Sequence, residues 1–193
     1  MLGFFFRINR KRYRYRKPKP KIERLIQHET SNEAVALSGT AIKKIIDDLP
    51  TVQVKQVIDG DTVVVNKHDQ LIKVRLDAID CPEDGQEWGD NAKYGLIKLI
   101  GGRLINLEEH GVDHHGRLLA TIYVFDKESG WVNVNEKMVT KGHAWVMRLF
   151  YDHLPKDRQT KLNQLERWAK SKKIGLWRKG NPTPPWEWRN NHN

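Results

Sequence analysis

Apolar and polar residues alternate along much of the chain after Thr51. Ile72, Val74, Leu76 and Ala78 are separated by Lys73, Arg75 and Asp77, the period of a strand with one buried face. The stretches "TVQVKQVI" and "TVVVN" show the same bias and flank Asp59-Gly60-Asp61, a strong hairpin signal. Two further strands fit "RLINLEE" and "RLLATIYVF", joined by a polar loop over residues 110–116. Helical spacing appears instead at residues 87–100, where Ala92, Leu96, Leu99 and Ile100 share a side and Gly101-Gly102 ends the run. It appears again at about 132–141 and 158–172. An earlier amphipathic stretch carries Ala41, Ile42, Ile45, Ile46 and Leu49 and stops at Pro50. Three strands, a helix, two strands and further helices predict an α+β fold that is mainly β. The expected form is a five-stranded OB-fold barrel with three packed helices, preceded by a basic arm and a helix.

Charge adds a division to this picture. The chain has 34 Lys and Arg against 24 Asp and Glu, a formal charge of +10. Residues 1–22 hold nine of the basic residues and no acid, so the rest is nearly neutral. A basic arm on a neutral body calls for an anionic partner, nucleic acid or a membrane surface. The expected organisation is an arm at 1–22, a helical extension at 23–50, the barrel domain at 51–178 and a Pro/Trp-rich tail at 179–193. Cys81 is the one cysteine, so no intramolecular disulfide can form. The apolar run Met1 to Phe6 is too short for a cleavable signal and precedes the charge instead of following it. The compartment stays open, with the cytoplasm favoured over an envelope association through an interfacial anchor at Phe4, Phe5 and Phe6, and a monomer is expected.

The chemistry concentrates where strands should end. Asp61 follows the first hairpin, and Asp80 and Glu83 close the next strand in "IDCPED". Crowded carboxylates repel one another and are costly to bury without a partner. An oxygen-rich cluster suits a hard cation such as Ca²⁺, and no Cys/His spacing suits zinc. Glu83 could instead serve as a base. Arg75, expected on the outer face beside Asp77, and Arg117, after "DHHG", offer planar forks for phosphate oxygens. A metal, a carboxylate base and two arginines at one rim are what phosphodiester hydrolysis requires.

Five blocks, "VIDGDTVVV", "VRLDAIDCPE", "DHHGRLLA", "VNEKMVTKGHAWV" and "LERWAKSKKIGLW", resemble in order the staphylococcal nuclease-like (thermonuclease) family. That resemblance implies an OB-fold, Ca²⁺-dependent endonuclease acting on DNA and RNA and leaving 3′-phosphates. It implies Asp61 and Asp80 as metal ligands with the backbone carbonyl of Cys81, and Asp59 nearby. Glu83 is implied as general base, and Arg75 and Arg117 as the phosphate-binding pair. The chain departs from the family pattern at Cys81, commonly Thr, at His115, and at Met147, where relatives often carry Tyr. A non-catalytic nucleic-acid-binding module on the same barrel is the rival reading. In either reading the arm at 1–22 should contact phosphates with little sequence preference.

Overall fold

A computed structural model describes residues 34–192; the basic arm and the extension as far as residue 33 lie outside them. The described chain begins with helix α1 (Ala34–Asp47), which leads into β1 (Thr51–Val57), β2 (Thr62–Lys67), β3 (Gln70–Leu76) and the short β4 (Ile79–Asp80). Helix α2 (Gly89–Ile100) is followed by β5 (Leu104–Val112), β6 (Leu118–Asp126) and β7 (Gly130–Asn133). Helix α3 (Val134–Thr140), β8 (Trp145–Val146), α4 (Lys156–Ser171) and α5 (Pro185–His192) complete it.

The strands pair in the order β3-β2-β1-β5-β6-β7, and β3 also pairs with β6, which closes five strands into a barrel. That closing pair is parallel, running from Val74 opposite Leu118 to Leu76 opposite Ala120. The alternation in sequence is what fills it: Val63, Val65, Val74, Leu76, Ile105, Leu107 and Ile122 are fully buried together. Helix α2 adds Ala92, Leu96 and Ile100 to the same core. At the seam, the Asn135 amide donates to the carbonyls of Asp77 and Ala120 at 2.9 and 3.1 Å and accepts from the Ile122 amide at 3.0 Å. One side chain thus satisfies three buried backbone groups where two strands meet. Helix α1 docks through buried Ile46, whose carbonyl accepts from Asn106 at 2.7 Å. The expected OB-fold barrel is present. Among the described residues no helix is long and apolar enough to cross a membrane.

Two expectations need correction. The third strand does not run on through Ala78 to Ile79. Ala78 adopts a left-handed φ of 62°, and Ile79–Asp80 pairs with Trp145–Val146 instead. The cost of that conformation, about 1 kcal/mol for a residue with a Cβ, is offset by the pairing and by a hydrogen bond from the Met147 amide to the Ala78 carbonyl at 2.8 Å. The helix expected from residue 132 begins at Val134, because Gly130–Asn133 pairs with β6 and the Asn133 side chain caps the first turn by accepting from the Glu136 amide.

Glu166 on α4 ties β8 to the helix. Its buried carboxylate accepts from the Val146 amide at 2.9 Å, from Arg148 at 2.5 Å and from Lys170 at 3.1 Å. Burial pushes its pKa up, but Arg148 and the Val146 amide more than compensate and hold it below the ordinary glutamate value. A depressed folded-state pKa contributes stability that is complete above the unfolded value and lost as pH falls through the folded one. Glu166→Gln is therefore expected to be about 2 kcal/mol less stable than wild type near neutrality, with the gap closing at acid pH below the ordinary glutamate range. Urea unfolding at both pH values checks this, and a gap that does not change with pH would refute it.

Candidate active site at the barrel rim

The acidic side of the site depends on how closely two loops approach. In the β1–β2 turn the Asp59 carboxylate accepts from the Asp61 amide at 2.9 Å, a local turn of the kind Asp favours. Gly60 at its tip has no space for a side chain: a Cβ there would lie 2.7 Å from the Cβ of Cys81 and 2.8 Å from that of Ala92. This contact brings Asp61 to the chain after β4, where its carboxylate accepts from the Cys81 amide at 2.9 Å. Asp80, 1 % exposed, ends β4 beside it.

Arg75 lies between these two acids. Its guanidinium is 2.6 Å from the Asp80 carboxylate and 3.3 Å from that of Asp61, and donates to the carbonyls of Ile79 at 2.8 Å and Leu76 at 3.1 Å. Burial opposes its charge, yet Asp61 and Asp80 raise its pKa above the ordinary arginine value. One arginine does not neutralise three carboxylates. Burial first, and Asp61 second, push Asp59 up to about 6. Burial also raises Asp80 despite Arg75. The set is short of positive charge.

Arg117 stands on a separate support. Asp113 accepts from the backbone amides of His115 and Arg117, both at 2.9 Å, and from the Arg117 side chain at 2.8 Å. Burial raises the Asp113 pKa, but the hydrogen bonds from Arg117 outweigh it and leave the group below the usual carboxylate value. The Arg117 guanidinium is thereby held 3.5 Å from the Thr62 hydroxyl at the start of β2. Asp59, Asp61, Arg75, Asp80, Glu83 and Arg117 all line one open cleft of about 500 Å³.

Residues 73–179, more than half of the chain, match the family described as staphylococcal nuclease homologue. The chain belongs to the staphylococcal nuclease family. It is 36% identical to a micrococcal nuclease of Shigella flexneri over 71% of this chain and 79% of that protein. It is 37% identical to an uncharacterized endonuclease of Haemophilus influenzae, over 72% of each. An uncharacterized endonuclease of Escherichia coli O157:H7 is 34% identical over 71% of this chain and 83% of its own length. Membership of the staphylococcal nuclease family supports a nuclease function.

Within this family member, Arg75 and Asp77 are not on an open outer face as the alternation suggested. Arg75 is turned into the acid cluster, and Asp77, 4 % exposed, is bonded to His153 at 2.5 Å. The surrounding segments β4–β8 and 147–155 cover what a bare strand would expose. Cys81 is buried with its thiol pKa pushed well above the usual value, chiefly by burial, so its backbone is the part that can bind. His114 and His115 are exposed at the lip of the cleft, and Met147 lines it.

The sequence reading missed Arg189. The tail forms α5, with Pro185 buried and the Trp186 ring 6.4 Å from that of Trp145. The Gln86 amide also donates to the Thr183 carbonyl at 2.7 Å. So held, Arg189 donates to the Asp80 carboxylate at 2.8 Å and is ion-paired with Glu83. It adds a second positive charge to the acids from the far end of the chain, and two arginines still face four carboxylates.

Proposed function

We propose that this protein is a Ca²⁺-dependent nuclease that hydrolyses phosphodiester bonds in DNA and RNA with little sequence specificity. Cleavage is endonucleolytic and leaves 3′-phosphates. The observation that carries the reading is the sharing of one cleft by an under-neutralised acid cluster, Glu83 and Arg117.

The donor set fits a hard cation. Asp61, Asp80 and the Cys81 carbonyl offer only oxygen, with Asp59 adjacent, and burial first and the Asp61 charge after it make the charged forms of Asp59 and Asp80 costly, a cost that a bound cation would lower. When bound there, Ca²⁺ supplies electrophilic polarisation of the phosphate. The other tasks fall to side chains. Glu83, with a side chain 36% exposed, takes a proton from the attacking water. Arg117, oriented by Asp113, binds phosphate oxygens and stabilises the charge that grows on them. Arg75 contributes positive charge from a fixed position while holding Asp61 and Asp80 together. The basic arm at 1–22 adds sequence-independent affinity by counterion release.

The test is hydrolysis of single-stranded DNA by the purified full chain in millimolar Ca²⁺ and then in excess EGTA, beside a Glu83→Ser/Arg117→Gly double variant, with end analysis of the products. Ca²⁺-dependent cleavage that is lost in the variant and leaves 3′-phosphates is expected. The engagement of Asp80 and Glu83 by Arg189 favours a second reading, a binding module whose acids serve the fold. A folded wild type that binds DNA and cleaves none of it, with or without Ca²⁺, would decide for that module.

A further inference from the structure

Next to the cleft, which Asp77 itself lines, is a second polar cluster that the proposed chemistry does not use. Asp77 comes from the end of β3, His110 from β5 next to its register shift, and His153 from the segment before α4. Each of the three offers a ligand atom, and these atoms all lie within 4.8 Å of one another. We propose that Asp77, His110 and His153 form a binding site for a divalent transition-metal ion of the Zn²⁺ class.

The chemistry of the set differs from that of the acid cluster. Two imidazoles and one carboxylate suit Zn²⁺ and its neighbours in the first transition row, not Ca²⁺, which takes oxygen. Ligand atoms around a tetrahedral Zn²⁺ with bonds of about 2.1 Å stand roughly 3.4 Å apart. The observed cluster spans that spacing, with the Asp77 and His153 atoms at 2.5 Å and the outer limit at 4.8 Å. Asp77 and His110 are buried, and the His153 side chain is 11% exposed, so competing solvent is limited.

Outer partners are present as well. One His110 nitrogen, Nε2, is 2.9 Å from the Thr121 hydroxyl, which also receives Arg158 at 3.2 Å. Such contacts fix the ring of a ligating histidine. On binding, the ion takes the place of the hydrogen bond between His153 Nε2 and Asp77, and the ring ligates as neutral imidazole: a neutral ring moves its proton to Nδ1, and a charged ring releases one proton to solvent. The ion joins three parts of the chain distant in sequence and braces residues 147–155, including Met147 and Phe150 of the cleft wall, against the barrel.

The test titrates Co²⁺ into the full-length protein after EDTA stripping and dialysis, reading visible absorption, with Zn²⁺ competition and metal analysis on the same samples. One equivalent of Co²⁺, displaced by Zn²⁺, is expected, together with a rise in thermal midpoint. His110→Asn and His153→Asn should each weaken binding at least tenfold, while Asp61→Asn and the His114→Gln/His115→Gln pair leave it unchanged. Histidine side-chain NMR of the wild type needs no variant and should show two rings shifting together with Zn²⁺. Absence of binding by wild type, or loss of the signal in Asp61→Asn or in the His114/His115 pair with His110→Asn and His153→Asn unaffected, would overturn the proposal and leave an ion pair only. The Asp61→Asn control also keeps this result separate from any failure of Ca²⁺ dependence.

Discussion

Replacing Arg117 by Ala is expected to lower kcat/KM for DNA cleavage by two to three orders of magnitude, the range found when one donor to a developing oxyanion is lost, while the fold persists. The geometry argues for both parts of that outcome. The guanidinium is 26% exposed and is held by Asp113, not by the core, so its loss opens no cavity. Asp113 keeps its two backbone donors, His115 and Arg117, and with them the turn. What disappears is a guanidinium that lines the cleft. Arg117→Lys should recover little, because an ammonium lacks the planar fork that grips two oxygens of one phosphate and cannot take the same support from Asp113. Rates measured with unfolding curves for both variants would check this. Retention of activity within a few-fold by the folded Ala variant would remove Arg117 from the chemistry.

Arg189→Ala is expected to reduce the Ca²⁺ concentration for half-maximal cleavage by about tenfold. Arg189 occupies Asp80 and Glu83, the same carboxylates that the proposed reaction assigns to metal and proton. Ca²⁺ must therefore displace a charge-assisted pair, whose net strength is about 1.5 kcal/mol once partial exposure is allowed for. The helix remains in place through Pro185 and Trp186, so the substitution removes the competitor without removing α5. Initial rates across a Ca²⁺ series decide the matter. An unchanged Ca²⁺ requirement with a reduced maximal rate would instead make Arg189 a contact for the substrate phosphate.

How much of this was legible beforehand depended on the range of the determining contacts. The barrel strands were readable because alternation is a local property that burial of one face enforces at each residue. The break at Ala78 was not, since alanine fits the alternation and its left-handed φ is imposed by pairing with β8 across almost 70 positions of sequence. Asp61, Asp80, Glu83 and Arg75 could be named as a group because charge clustered at strand ends is visible in one dimension. Their mutual engagement, which turns Arg75 inward, follows from the approach of Gly60 to Cys81 and Ala92. Asp113 carried a weak signal, an acid three residues before Gly116 in a turn, and went unread. Arg189 carried none: one arginine among many, it gains meaning only when α5 packs on Trp145.

The seam between β3 and β6 has a consequence for the chain as it is made. All the acids and both Arg75 and Arg117 are in place by residue 117, yet β6, the strand that closes the barrel, starts at Leu118. Asn135, which satisfies the backbone on both sides of that seam, emerges later still. A nascent chain therefore carries every chemical group of the proposed site before it can hold them in register. Translation must run past α3 before the seam that supports the cleft can close.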